Sequence, residues 1–275
     1  MREKKIRWQN WVRQQELNAI KKWFIAKVTE KANLLEIGGG DGFLARCLAD
    51  MGFDVVSIDI EPREPSCFPV EKGDCTCLEF EDKSIDIIFS SNVLEHITDL
   101  ETAFSEMKRV LKRNGIMVHT VPTQYSTIYT LALQPIGYLF QIGLMVSYGL
   151  KFAMVAIFGQ KESAGSRTSA KKSRRYPDLN KRNIHEALKM ANPIRFFISW
   201  PHGTSPNCFS EISDWKPENW RKRFEQAGLN VKDVIQLPMA YSRHMILPFK
   251  LMKLRHWLAK RGKNACVAYL IQCEE

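Results

Sequence analysis

The stretch Leu34-Leu35-Glu36-Ile37-Gly38-Gly39-Gly40-Asp41-Gly42 decides how the rest of the chain is read. A short apolar run reads as a strand, glycines follow at alternate positions, and Phe43 to Met51 reads as a helix. Glycine is required where a strand turns sharply into a helix, and where a ligand must reach the backbone with no Cβ in the way. A dinucleotide loop is spaced G-x-G-x-x-G. Here the spacing is E-x-G-x-G-x-G, and an acid, Glu36, stands near the end of the strand itself.

Downstream, Asp54 to Ile60 and Ile85 to Ser90 read as strands, Leu100 to Lys112 as a helix ended by Asn114 and Gly115, and Ile116 to Val121 as a strand stopped by Pro122. Strands alternating with helices imply a parallel sheet with right-handed crossovers. Upstream, Leu17, Ile20, Phe24 and Val28 recur at helical spacing. The alternation stops after Pro122. Thr127 to Gly159 carries a single charge, Lys151, and the basic segment Lys161 to Arg182 follows. It resumes with a helix over Pro217 to Ala227 closed by Gly228, then strands over Val231 to Leu237 and Ala265 to Ile271, expected as an antiparallel edge pair. The expected domains are a basic amphipathic helix (1–32), a core (33–122), an apolar and basic insertion (123–215), and a return to the core (216–275) with a basic excursion at 243–263.

These elements, in this order, resemble the class I S-adenosylmethionine-dependent methyltransferases, whose first motif matches Glu36 to Gly42. The resemblance continues in register. Val55-Val56-Ser57-Ile58-Asp59 resembles the second strand, whose terminal acid takes the ribose hydroxyls, and Gly73-Asp74 matches an acid beside the adenine. Ile85 to His96 is similar to the fourth strand and its turn. Met107 to Gly115 is similar to the helix and turn before strand five, with Arg113-Asn114 where the family has Pro-Gly. The resemblance implies an α/β, Rossmann-like seven-stranded sheet with helices on both faces and a large apolar insertion after strand five. It implies S-adenosyl-L-methionine as cofactor, held by Glu36, Gly38, Gly40, Gly42, Asp59, Asp74, Ser91 and Asn92. A carboxylate suits vicinal hydroxyls, and carbonyls with Glu36 suit a ligand carrying ammonium and sulfonium.

The acceptor is less constrained. The nitrogen-methylating Asn/Asp-Pro-Pro-Tyr motif is absent where Ser90-Ser91-Asn92-Val93 stands, and no pair of catalytic cysteines is evident. His202, in Trp200-Pro201-His202-Gly203, is the candidate base for an oxygen acceptor; the alternative is that it caps a turn. Glu95 and His96 are read as structural. Trp200 to Gly228 resembles a segment of methyltransferases from bacterial surface-glycan pathways.

The formal charge is +10, but residues 1–31, 161–182 and 243–263 together carry +19, leaving the remainder at −9. Basic attachments on an acidic core point to an anionic partner, a lipid surface or a nucleic-acid backbone. Leu131 to Leu150 holds twenty residues without a charge, the length of a membrane helix, yet the chain must return to its own sheet. The insertion is therefore read as a re-entrant hairpin bent near Pro135 to Gly143, as interfacial helices, or as a soluble lid. Trp8, Trp11, Trp23 and Trp257 among basic residues suit an interfacial belt. The seven cysteines lack metal-ligand spacing and are expected reduced and mostly buried. No secretory leader is expected, no metal is assigned, and the expected location is the cytoplasmic face of a membrane. The expected activity is O-methylation of a lipid-linked glycan or similar amphiphile. Alternatives are an RNA methyltransferase, although no RNA-binding module supports nucleic acid as partner, and a soluble small-molecule enzyme.

Overall fold

The computed structural model describes residues 2–25, 32–139, 143, 201–242 and 247–273. The basic segment Lys161 to Arg182, and the apolar run from 144 onward, lie outside the described residues. The chain divides into two compact units, one of residues 1–130 with 200–275 and one of residues 131–199. Residues 123–130 and 200–215, grouped by sequence with the insertion, thus fall in the first unit. Residues 124–139 are helical, Pro135 included.

The first unit is built on a seven-stranded sheet. Its strands are β1 (Asn33–Ile37), β2 (Asp54–Asp59), β3 (Glu71–Lys72), β4 (Ile85–Ser91), β5 (Leu111–Pro122), β6 (Leu229–Gln236) and β7 (Cys266–Cys273). The spatial order is β3-β2-β1-β4-β5-β7-β6. Strands β1 to β5 pair in parallel, whereas β7 runs antiparallel to both β5 and β6. The antiparallel pair is present, with β7 inserted beside β5 and only β6 at the edge. The order reverses between β1 and β4, and open α/β sheets place ligands at that switch, beyond the carboxyl ends of the strands.

Side-chain alternation along the strands builds two cores. Leu34, Ile87, Phe89, Ile116 and Val118 face one, covered by α1 (Arg2–Ile25) and α2 (Phe43–Ala49). Leu35, Ile37, Ile88 and Met117 face the other, covered by α3 (Leu100–Val110) and by α5 (Pro217–Gln226), which follows α4 (Cys208–Asp214). A last helix, α6, spans Met252–Ala259.

The structure corrects three expectations. Helix α3 stops at Val110, not at Lys112, and β5 begins at once. Ile85 pairs with Leu111 but Ile87 with Ile116, so Lys112 to Gly115 bulge out between two consecutive pairings. Trp8 and Trp23 drop out of the interfacial belt: Trp8 is fully buried and stacks on the half-buried Trp11 at 5.2 Å, and the buried Trp23 donates Nε1–H to Asp233 at 3.0 Å, whereas Trp257 is exposed. Two large indoles earn more by closing the sheet face than by facing lipid. Nor are the thiols mostly buried: Cys75, Cys208 and Cys266 are buried, Cys47 and Cys273 half-buried, and Cys67 and Cys77 exposed.

Candidate active site

The carboxyl ends of β1, β2 and β4 open onto a cleft of about 700 Å³, lined among others by Gly38, Asp59, Asp74, Ser91, Asn92 and His202. Six of the nine sequence-derived site residues therefore share one cavity. Glu36, Gly40 and Gly42 do not line it. Glu36 lies beneath the loop, where it accepts the Ser57 hydroxyl at 2.6 Å, and burial pushes its carboxyl up to about 7.

The loop conformation explains the glycines. Gly42 has φ +70°, and a Cβ there would sit 2.5 Å from the carbonyl oxygen of Phe68. Gly38 has φ +78°, and a Cβ would overlap Val93 at 2.2 Å. At both positions only glycine combines the left-handed backbone with the close approach, of Phe68 backbone at Gly42 and of the Val93 side chain at Gly38.

The chemistry of the cleft follows from how the loop spends its donors. Gly38 and Gly39 donate N–H to Ile58, Gly42 to Gly39, and Gly40 to Asp59 Oδ2 at 2.8 Å. Four amides that would cradle a phosphate are thus already engaged. The cleft instead presents the carboxylates of Asp59, Asp74 and Asp99, with the buried carboxyl groups of Glu16 and Glu95 in its wall. Arg13, also on its wall, pairs with Asp41 at 3.2 Å, and the Arg63 guanidinium lies over Gly40. Asp59 accepts Glu61 N–H on its second oxygen, and Asp74 accepts both the backbone and the hydroxyl of Thr76. Carboxylates at strand ends with apolar walls of Ile37, Ile58 and Ile60 fit a nucleoside carrying positive charge, which is the chemistry of S-adenosylmethionine.

Sequence reasoning missed one wall. Gln9, Val12, Arg13 and Glu16 of α1 line the cleft, and their spacing is that of one helical stripe. That stripe is legible in the sequence, but nothing local says what it faces. Glu16 is buried, accepts the Tyr241 hydroxyl at 2.8 Å, and is pushed up to about 7 by burial. Tyr241 in turn meets Cys266, whose thiol donates to Asn92 Oδ1 at 3.2 Å, so the network runs from α1 to the turn after β4.

Glu95 and His96, read as structural, also line the cleft. They sit in a single 3-10 turn, Leu94–His96. The Glu95 carboxylate is buried with no hydrogen-bond partner on either oxygen among the described residues, and desolvation pushes it up to about 8. Burial lowers His96. His202 arrives from a remote turn and packs edge-on against the His96 ring at 4.4 Å. Its backbone N–H donates to Glu211, a fully buried carboxylate that also accepts the Thr127 hydroxyl at 2.8 Å. Gly203, at φ +69°, lies against Glu95, where a Cβ would stand 2.1 Å from the carbonyl oxygen, and Thr204 donates N–H to that same oxygen at 2.9 Å.

Comparison with known proteins agrees with this geometry. Residues 35–119 match the methyltransferase domain family. The chain is 34% identical over 111 residues to an uncharacterized methyltransferase of Mycobacterium sp. (strain JLS), a match over 38% of this chain and 41% of the relative. It is 33% identical over 115 residues to another uncharacterized methyltransferase, from Mycobacterium tuberculosis, over the same shares of 38% and 41%. The chain spans about two fifths of the length of the curated relatives it matches. A crystal structure from Listeria monocytogenes, described as an S-adenosylmethionine-dependent methyltransferase, superposes with a TM-score of 0.50 at 13% identity, over 95% of this chain and 99% of that one. At that identity the likeness is one of fold. The family match thus falls on the segment that holds the glycine loop and most of strands β1 to β5, and the chain has the Rossmann-like seven-stranded fold of the S-adenosylmethionine-dependent methyltransferases.

Proposed function

We propose that the chain as a whole transfers a methyl group from S-adenosylmethionine to an oxygen of an amphiphilic, lipid-linked acceptor at an anionic membrane surface. The observation that carries the methyl-donor half is the union of a donor-depleted glycine loop with Asp59, Asp74 and Asn92 on one cleft. The cofactor supplies an electrophilic methyl group on a sulfonium. The chain's residues would hold it and exclude water: Asp59 at the ribose hydroxyls, Asp74 near the base, and Gly38 with Asn92 along the methionine part. Glu36, buried one layer below, supports Gly39 rather than touching ligand. Alignment of acceptor and donor is worth as much as ~7–11 kcal/mol of barrier in favourable cases. His202, on the cleft wall, is the residue this reading assigns to deprotonation of the acceptor, directly or through what it binds.

The acceptor half draws on the basic, apolar attachments. Phe249, Leu251, Leu254 and Trp257 are exposed around α6, interspersed with exposed Lys250, Lys253 and Arg261. Such a surface gains about 1 kcal/mol per basic residue near anionic lipid. Among the described residues no helix is long and apolar enough to cross a membrane, so the reading concerns adsorption. Two measurements test it. Calorimetry with S-adenosylhomocysteine must give one site per chain; absence of binding sinks the donor half. Flotation with vesicles containing phosphatidylglycerol must carry the protein upward, less so in high salt, and protein left at the bottom of the gradient removes the membrane half.

A further inference from the structure

We propose that Glu95, His96 and His202 form a binding site for a divalent transition-metal cation at the acceptor end of the cleft. One ligand atom from each of the three side chains lies within 4.8 Å of the other two, and His96 Nε2 is 4.0 Å from Glu95 Oε1. Zinc bonds of about 2.0–2.2 Å put donor atoms about 3.4 Å apart in a tetrahedral set. Side-chain adjustments of about an ångström therefore bring the three donors onto one ion.

Two features separate this cluster from a chance meeting of polar groups. The first is the buried carboxyl group of Glu95, whose oxygens accept no hydrogen bond among the described residues. A buried acceptor without a donor forfeits its hydration, and native structures leave few such groups without a reason. A cation is such a reason. The second is the way His202 is delivered. It lies 106 residues after His96 in the chain, yet its turn is fastened at three points: Gly203 against the Glu95 carbonyl, the Thr204 N–H on that carbonyl, and the His202 N–H on buried Glu211. These contacts fix the backbone of the turn and so the point from which the His202 ring reaches Glu95 and His96.

The donor set selects the ion. Two neutral imidazoles and one carboxylate suit zinc and its first-row neighbours rather than magnesium or calcium, which take oxygen ligands. Three protein ligands leave a coordination position open, as catalytic sites do. Because all three residues line the cleft, that position would face the acceptor. A hydroxyl bound there loses its proton more readily: the O–H bond breaks, the proton passes to solvent water, and the electron pair stays on oxygen. This role rests on the methyl-transfer reading above; the binding of metal does not.

The test uses the full chain after dialysis against a chelator, titrated with Zn²⁺ in competition with a chromophoric chelator. One equivalent is expected. Each of Glu95→Gln, His96→Ala and His202→Ala is expected to weaken it at least tenfold, while affinity for S-adenosylhomocysteine stays within threefold of the parent. Co²⁺ should give a visible absorption band that His202→Ala abolishes or shifts. Absence of Zn²⁺ binding to the parent, or binding that all three variants retain at parental affinity, overturns the proposal. Parental Zn²⁺ binding without S-adenosylhomocysteine binding would instead remove the methyl-transfer reading and leave the metal site standing, with circular dichroism confirming that the chain is folded.

Discussion

Asp59 is the residue on which loop and cleft both turn. Its carboxylate accepts Gly40 N–H at 2.8 Å and Glu61 N–H at 2.9 Å, so it ties the glycine loop to the end of β2 while facing the cavity. Charge-assisted hydrogen bonds contribute about 1.5–3 kcal/mol each. Asp59→Ala is therefore expected to weaken S-adenosylhomocysteine binding by about 100-fold, measured by calorimetry, and a variant binding within twofold of the parent would exclude Asp59 as ribose ligand. The type and place of this residue could be read from the sequence, as the acid closing a β-branched run. Glu36 could be read only in part. The acid was visible, but that it points beneath the loop toward Ser57 follows from the packing of β1 beside β2.

At the scale of elements, the turn at 201–204 shows how a remote segment enters the site. It brings no regular structure of its own; it is held by bonds to the 3-10 turn at Leu94–His96 and to α4. Gly203→Ala places a Cβ into the Glu95 carbonyl at a left-handed backbone position, which costs about 1–2 kcal/mol in backbone conformation alone. Methyl transfer is expected to fall at least tenfold while S-adenosylhomocysteine affinity holds within twofold; equal loss of both would show that the turn supports the whole cleft and not its acceptor end. No sequence period marks such a turn. The same limit explains the misplaced end of α3. Asn114 and Gly115 do signal a break, yet Leu111 already pairs with Ile85, and the tertiary pairing starts the strand four residues before the glycine.

For the whole molecule, buried titratable groups set opposing slopes of stability against pH. Glu16 is held protonated by burial up to about 7, against an ordinary value of 4.5. Between those values the unfolded chain releases this proton and the fold keeps it. Stability therefore falls as pH rises through the window and levels off above it. His119 is buried, bonded through Nδ1 to Ser90 at 2.8 Å, and lowered to about 3, so its contribution is lost as pH falls below 6.5. Glu16→Gln removes the first slope alone. Denaturant unfolding should show its stability rising relative to the parent between pH 4.5 and 8, by about 3 kcal/mol at most. A difference that stays flat with pH would show Glu16 ionised in the fold.

The sequence by itself determined the parallel sheet, the order of the motifs and the glycine loop, because each rests on local physics: period-two and helical periodicity, the steric freedom of glycine, and an acid at a strand end. It also carries the paired residues Glu95-His96, without saying what they face, and an α1 stripe whose role appears only once the cleft is formed. Only the tertiary structure decided that Trp8 and Trp23 close a core instead of meeting lipid, that Glu16 and Tyr241 join in a buried bond, and that His202 meets His96 across 106 residues. Those outcomes depend on burial and on contacts between distant segments, which local spacing does not encode.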